Sequence, residues 1–232
     1  MGVFAVEIPL QEFERAAQRL KGVLHHTELD LSATFSAMTG GNIYLKYENS
    51  QKTGSFKIRG ASNKIAALVE RGETGAVVAS SAGNHAQGVA YAAHRFGIPA
   101  TIVMPKTAPI AKAKATEGYG ANVVLAGDCY DDAYAKALQL QEETGATLIH
   151  PFDDDEVIAG QGTIGLEILD ELEDLEAIVV PIGGGGLISG IAYAVKHLNP
   201  NIKVYGVQAS GSASMYESRI AGHPIMLENA AT

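Results

Sequence analysis

From residue 42 onward the chain alternates short apolar, β-branched runs with segments whose apolar residues recur every three or four positions, and this alternation most constrains what it can fold into. The runs lie at 76–80, 100–104, 121–125, 147–149, 177–181 and 202–207. The helix-period segments lie at about 85–96, 110–118, 130–144, 161–173 and 187–197. A strand followed each time by a crossover helix implies parallel sheet, and runs that are apolar throughout imply helices on both faces. Ahead of them, Pro9 to Lys21 predicts an opening helix: Pro9 sits near the first turn, Phe13, Ala16, Ala17 and Leu20 share a face, and Gly22 supplies the stop.

In such a sheet ligands bind beyond the carboxyl ends of the strands, where loops meet helix N-termini. Two loops there have unusual composition. Gly183-Gly184-Gly185-Gly186 leaves a backbone unobstructed by side chains, so its N–H groups can converge on an anion; a plain flexible turn fits the same residues. Neither a P-loop nor the dinucleotide spacing is met, because Leu187 and Ile188 follow. Ser81-Ala82-Gly83-Asn84-His85 opens a helix with groups suited to a carboxylate or a polar ring substituent, or to ordinary capping. Lys57 stands between Phe56 and Ile58, and a partly desolvated lysine has a lowered pKa and attacks carbonyls.

Composition removes whole classes. The 232 residues hold 26 acidic and 17 basic side chains, a formal net charge of −9, which disfavours nucleic acid as a partner. Cys129 is the single cysteine, so no intramolecular disulfide or multi-cysteine metal site forms; it reads as a small core residue, and a reducing cytoplasm fits. The N-terminus carries neither a basic leader nor a long apolar run, so a soluble protein without a membrane segment is expected. His25-His26 has no third ligand in register, and no metal site is expected. Asp153-Asp154-Asp155-Glu156 reads as a helix start, and Lys112 and Lys114 as a solvated helix face.

Taken together, three segments resemble those of fold type II pyridoxal phosphate enzymes, and among them the threonine dehydratases. The stretch from Lys46 to Ala61 resembles the cofactor-lysine segment, Ser81 to Gly88 the substrate-carboxylate loop, and Gly183 to Leu187 the phosphate loop. The resemblance implies pyridoxal 5'-phosphate as cofactor, bonded to Lys57, with Phe56 against one face of its ring and Asn84 on its phenolic oxygen. Gly183, Gly184, Gly185, Gly186 and Leu187 would wrap the phosphate, and Ser81, Ala82, Asn84 and His85 would line the substrate carboxylate. It also implies β-elimination from L-threonine or L-serine, giving a 2-oxo acid and ammonia, in amino-acid metabolism including isoleucine biosynthesis. The implied setting is a cytoplasmic homo-oligomer when full length. A related racemase or β-replacement enzyme, or a catalytically incomplete cofactor-binding fragment, are the alternatives.

The expected fold class is α/β, fold type II-like, with parallel sheets covered by helices and a small domain (71–150) inserted in a larger one (1–70 and 151–232). Two details depart from relatives of this group. Gln208 and Ser214 stand where some carry acidic cation ligands, and Ala82 stands where racemases carry a serine. The resemblance also implies further strands after Thr232, so the chain reads as C-terminally incomplete.

Overall fold

The computed structural model describes residues 8–227. Helix α1 (Leu10–Leu20) buries Phe13, Ala16 and Leu20 on one side, as its spacing predicts. The chain then makes an unanticipated antiparallel pair, β1 (Leu29–Leu31) and β2 (Tyr44–Lys46), around α2 (Ala33–Thr39), with Leu29 opposite Lys46. The alternation therefore does not begin as parallel sheet.

Helix α3 (Lys57–Glu70), which the periodicity also missed, leads into β3 (Val77–Ser80), α4 (Asn84–Phe96), β4 (Ala100–Met104), α5 (Ile110–Gly118), β5 (Asn122–Leu125), α6 (Tyr130–Thr144) and β6 (Thr147–Leu148). These strands form one parallel sheet in the order β5-β4-β3-β6, with Val77 level with both Ala100 and Thr147. One face packs Val77, Ala79, Ile102 and Met104 with α3 and α4; the other packs Val78 and Val103 with Ala133 and Ala137 of α6. Burial on both faces explains why β3 is apolar up to its last residue, Ser80.

The rest of the chain forms α7 (Asp155–Glu171), β7 (Ala177–Pro181), α8 (Gly186–Leu198), β8 (Lys203–Val207) and α9 (Ser214–Ala221). β7 and β8 pair in parallel, Ala177 level with Lys203. Ile178 and Val180 face a core shared with α7 and α8, whereas Val179, Tyr205 and Val207 are exposed, so this sheet is covered on one face among the described residues.

Helix α7 starts at the acidic run, as expected, and continues without a break into the helix-period segment expected from residue 161. The acidic run is its N-terminus: Asp154 accepts from the N–H groups of Glu156 and Val157, both at 3.0 Å. Its glycines let neighbouring backbones touch. A Cβ on Gly160 would fall 2.7 Å from Arg59 O, and one on Gly162 would fall 2.6 Å from Gly190 O of α8. Cys129 is exposed just before α6, not in the core; the turn there is held by Asp132, whose carboxylate accepts from the N–H groups of Asp128 and Cys129. No helix among the described residues is long and apolar enough to cross a membrane.

Arg59 is fully buried on α3. It donates to both carboxylate oxygens of Glu48 (2.8 and 2.7 Å), to both of Glu167, and to Thr163 Oγ1 at 3.1 Å. Lys46 joins through Glu167 at 3.0 Å and Glu171 at 3.1 Å. Arg59→Leu strands two largely buried carboxylates, and urea unfolding is expected to show a loss of about 3 kcal/mol; a loss below about 1 kcal/mol would show that the network does not hold α3 to α7.

Candidate active site

Phe56 ends the approach to α3 and Lys57 is its first residue. The Lys57 ammonium donates to Pro151 O at 2.6 Å and lies 5.4 Å from the Phe56 ring centroid. Among the described residues no carboxylate pairs with it. Burial lowers its pKa to about 8, so an appreciable neutral fraction exists near neutral pH. The sequence expectation of a desolvated lysine is matched by this environment.

The Ser81–His85 loop is brought to Lys57 by close packing of α4 on α3. A Cβ on Gly88 would sit 3.1 Å from Lys57 O and 3.2 Å from Ile58 N, so glycine there permits the approach. Ser81 Oγ accepts from Gly83 N–H, Ala82 packs half-buried against the core beside β3, and Asn84 is exposed. The first intrahelical bond of α4 runs from Gln87 N–H to Gly83 O, which leaves the N–H groups of Asn84, His85 and Ala86 without acceptors among the described residues.

The His85 ring is not among the free groups. It is buried, and its Nε2 bonds Ile149 O at 2.8 Å, so Nε2 carries the proton. Burial lowers its pKa to about 3, with Lys57 and His150 adding to the effect, and Nδ1 is buried without a partner among the described residues. What His85 can offer a carboxylate is its main-chain N–H.

The glycine loop lies beyond β7. Gly185 has φ +91°, the first intrahelical bond of α8 runs from Ser189 N–H to Gly185 O, and the N–H groups of Gly183, Gly184, Gly185, Gly186 and Leu187 have no acceptor among the described residues. A Cβ on Gly184 would overlap the Phe152 ring, and one on Gly186 would fall 2.7 Å from Phe152 O, while Gly183 faces open space. Five free N–H groups on a floor that admits no side chain fit a phosphate.

The sequence reading missed the segment after β6. Ile149 O takes His85, Pro151 O takes Lys57, and Phe152 underlies Gly184 and Gly186, so these residues join all three motifs. The available signal was position: His-Pro-Phe directly follows a strand's carboxyl end. Lys112 is exposed as expected, yet its Nζ lies 3.9 Å from where a Cβ on Gly83 would be. Gln208 spends its Oε1 on Tyr216 N–H, and His26 pairs with Glu171 at 3.1 Å.

Residues 21–232 match the pyridoxal-phosphate dependent enzyme family, and the chain belongs to it. Its fold is that of the fold type II members. It is 55% identical to an L-threonine ammonia-lyase of Thermotoga maritima over 97% of this chain and 58% of that protein. It is 51% identical to a catabolic L-threonine dehydratase of Staphylococcus aureus over 91% of this chain and 61% of that one. The chain thus spans about three-fifths of the length of these relatives. Among solved structures it superposes on maize serine racemase with a TM-score of 0.93 at 39% identity, covering 97% of this chain and 68% of that one. Threonine deaminase isoform 2 from Solanum lycopersicum gives 0.92 at 43%, covering 100% and 64%.

Competitive acetylation across pH, read by peptide mass, should titrate Lys57 near pH 8. Below that pH its reactive fraction falls tenfold per unit; a midpoint at the ordinary value of about 10.4 would show that the lysine is solvated.

Proposed function

We propose that this chain carries the cofactor-holding part of an enzyme that deaminates L-threonine, and L-serine, to the 2-oxo acid and ammonia. The observation that carries the reading is the desolvated Lys57 ammonium joined, through residues 149–152, to two loops of free N–H groups. The 55% and 51% identities to proteins named for threonine deamination support the substrate class.

In this reading Lys57 would hold the cofactor at its aldehyde carbon, and the substrate's amino group, replacing Lys57 there, would leave the Lys57 amine free to act as a base. Pyridoxal phosphate, when bound, supplies an electron sink that stabilises negative charge at an amino acid's α-carbon. Gly183 to Leu187 would hold the phosphate by main-chain N–H groups, Phe56 would support the ring, and Asn84, whose carboxamide has no partner among the described residues, would meet the phenolic oxygen. Ser81 and the N–H groups of Asn84 and His85 hold the substrate carboxylate at the positive end of α4. Lys57 Nζ, with its lowered proton affinity, takes the α-proton. Loss of the β-hydroxyl as water and later uptake of one water leave ammonia as the net loss from the substrate.

Ala82 offers no hydroxyl to return a proton on the face opposite Lys57, which favours elimination over racemisation. We assign residues 71–150 to a small inserted domain and 1–70 with 151–232 to a larger one; the separate sheets support this division. The reading carries a cytoplasmic homo-oligomer, and the exposed Val179, Tyr205 and Val207 are apolar surface available for burial.

Borohydride reduction after incubation with pyridoxal phosphate should place the adduct on Lys57, not on Lys46 or Lys52. The full-length gene product should convert L-threonine to 2-oxobutanoate and ammonia in equal amounts, and Lys57→Ala should abolish this. Rapid D-serine formation from L-serine with little pyruvate would replace the assignment by racemisation. Ala82→Ser should raise the D-serine share, and an unchanged share would remove Ala82 from the argument.

A further inference from the structure

The residue before Pro151 has a task of its own. His150 Nδ1 faces two main-chain donors, Asp153 N–H at 2.7 Å and Phe152 N–H at 3.3 Å. A nitrogen that accepts from both carries no proton, so the ring is the neutral tautomer protonated on Nε2. The ring also packs edge-on against Phe152 (centroids 4.7 Å apart) and Tyr134 (6.4 Å). The turn it ties is the one that presents Pro151 O to Lys57 and the Phe152 ring to Gly184.

We infer that His150 is a positioning residue whose neutral ring, by accepting the Phe152 and Asp153 N–H groups, holds both the Lys57 ammonium and the floor of the glycine loop in place. A protonated ring would point N–H at N–H and release the turn. The charged groups around it are Lys57, Asp153 and Asp154, with His85 and Tyr134 also facing it. Burial lowers the His150 pKa, and Lys57 adds to this against the opposing pull of Asp153 and Asp154, so the ring is neutral where Lys57 begins to lose its proton. On acidification the tie is lost, and cofactor grip should fall with it.

The test compares wild type with His150→Asn, whose carbonyl oxygen can accept at the Nδ1 position without titrating, and His150→Leu, which accepts nothing. The first readout is amide exchange of the unliganded chain, corrected for intrinsic rates. Asp153 N–H should be protected in wild type and His150→Asn and unprotected in His150→Leu, and acid should remove protection from wild type alone. The second is affinity for 4'-deoxypyridoxine 5'-phosphate, which lacks the aldehyde and therefore needs no bond to Lys57; this arm rests on the cofactor reading above.

At about pH 8 wild type and His150→Asn should bind alike and His150→Leu about tenfold more weakly. Once acid has protonated His150, followed by the ring's own NMR shifts in the wild type, wild type should fall below His150→Asn, the losses common to both belonging to the ligand phosphate and Lys57. Parallel acid losses in wild type and His150→Asn, or wild-type affinity in His150→Leu, would overturn the inference. If His150→Leu does not fold, the acid comparison decides alone. If wild type takes up no analogue at any pH, the cofactor reading fails instead, and the exchange pattern decides whether His150 ties the turn.

Discussion

Two main-chain carbonyls, those of Ile149 and Pro151, hold the site together. One accepts from the His85 ring at 2.8 Å and the other from Lys57 Nζ at 2.6 Å, so the end of β6 is pinned to α4 and α3 at once. Phe152, next in the chain, meets the glycine loop of α8. Lys57 is desolvated by this packing, and the carbonyl gives its ammonium a partner without supplying the countercharge that would raise its pKa. A carboxylate at that position would keep the lysine protonated and remove its nucleophilicity.

This arrangement depends on how closely the helices approach one another. Gly88 brings α4 against the first turn of α3, Gly160 brings α7 against Arg59 and Gly60, and Gly162 meets Gly190 on α8. Arg59, buried two residues beyond Lys57, fixes the first turn of α3 through Glu48 and Glu167. The lysine therefore sits on a helix start that is held on several sides, which suits a group that must meet a ligand in one orientation.

The two loops differ in what they leave free. At α4 the Ser81 hydroxyl and the His85 ring are engaged within the protein, while the Asn84 side chain and three main-chain N–H groups have no partner among the described residues. At α8 no main-chain N–H from Gly183 to Leu187 has an acceptor among the described residues, and Phe152 occupies the space that side chains at Gly184 and Gly186 would need. The first loop leaves both side-chain and backbone groups free; the second offers backbone N–H groups alone, a set that suits an anion such as the proposed phosphate.

The strand and helix alternation after residue 76, the two loops at strand ends and the unusual setting of Lys57 were all legible, because each is written in local periodicity or composition. Helix α3 and the β1–β2 pair were not. The polar and small residues of α3 blur its period, with Arg59, Ser62 and Asn63 buried by tertiary partners, and β1 and β2 are three residues each. Cys129 was misplaced because small apolar character does not distinguish a core position from a helix start. The sequence by itself determined the class of fold and which loops could meet a ligand. Only the tertiary structure decided that the His85 ring bonds Ile149 O, that Lys57 rests on Pro151 O and that Phe152 floors the glycine loop. Main-chain carbonyls are the same at every residue, so bonds to them leave no mark in the sequence until packing selects which ones are reached.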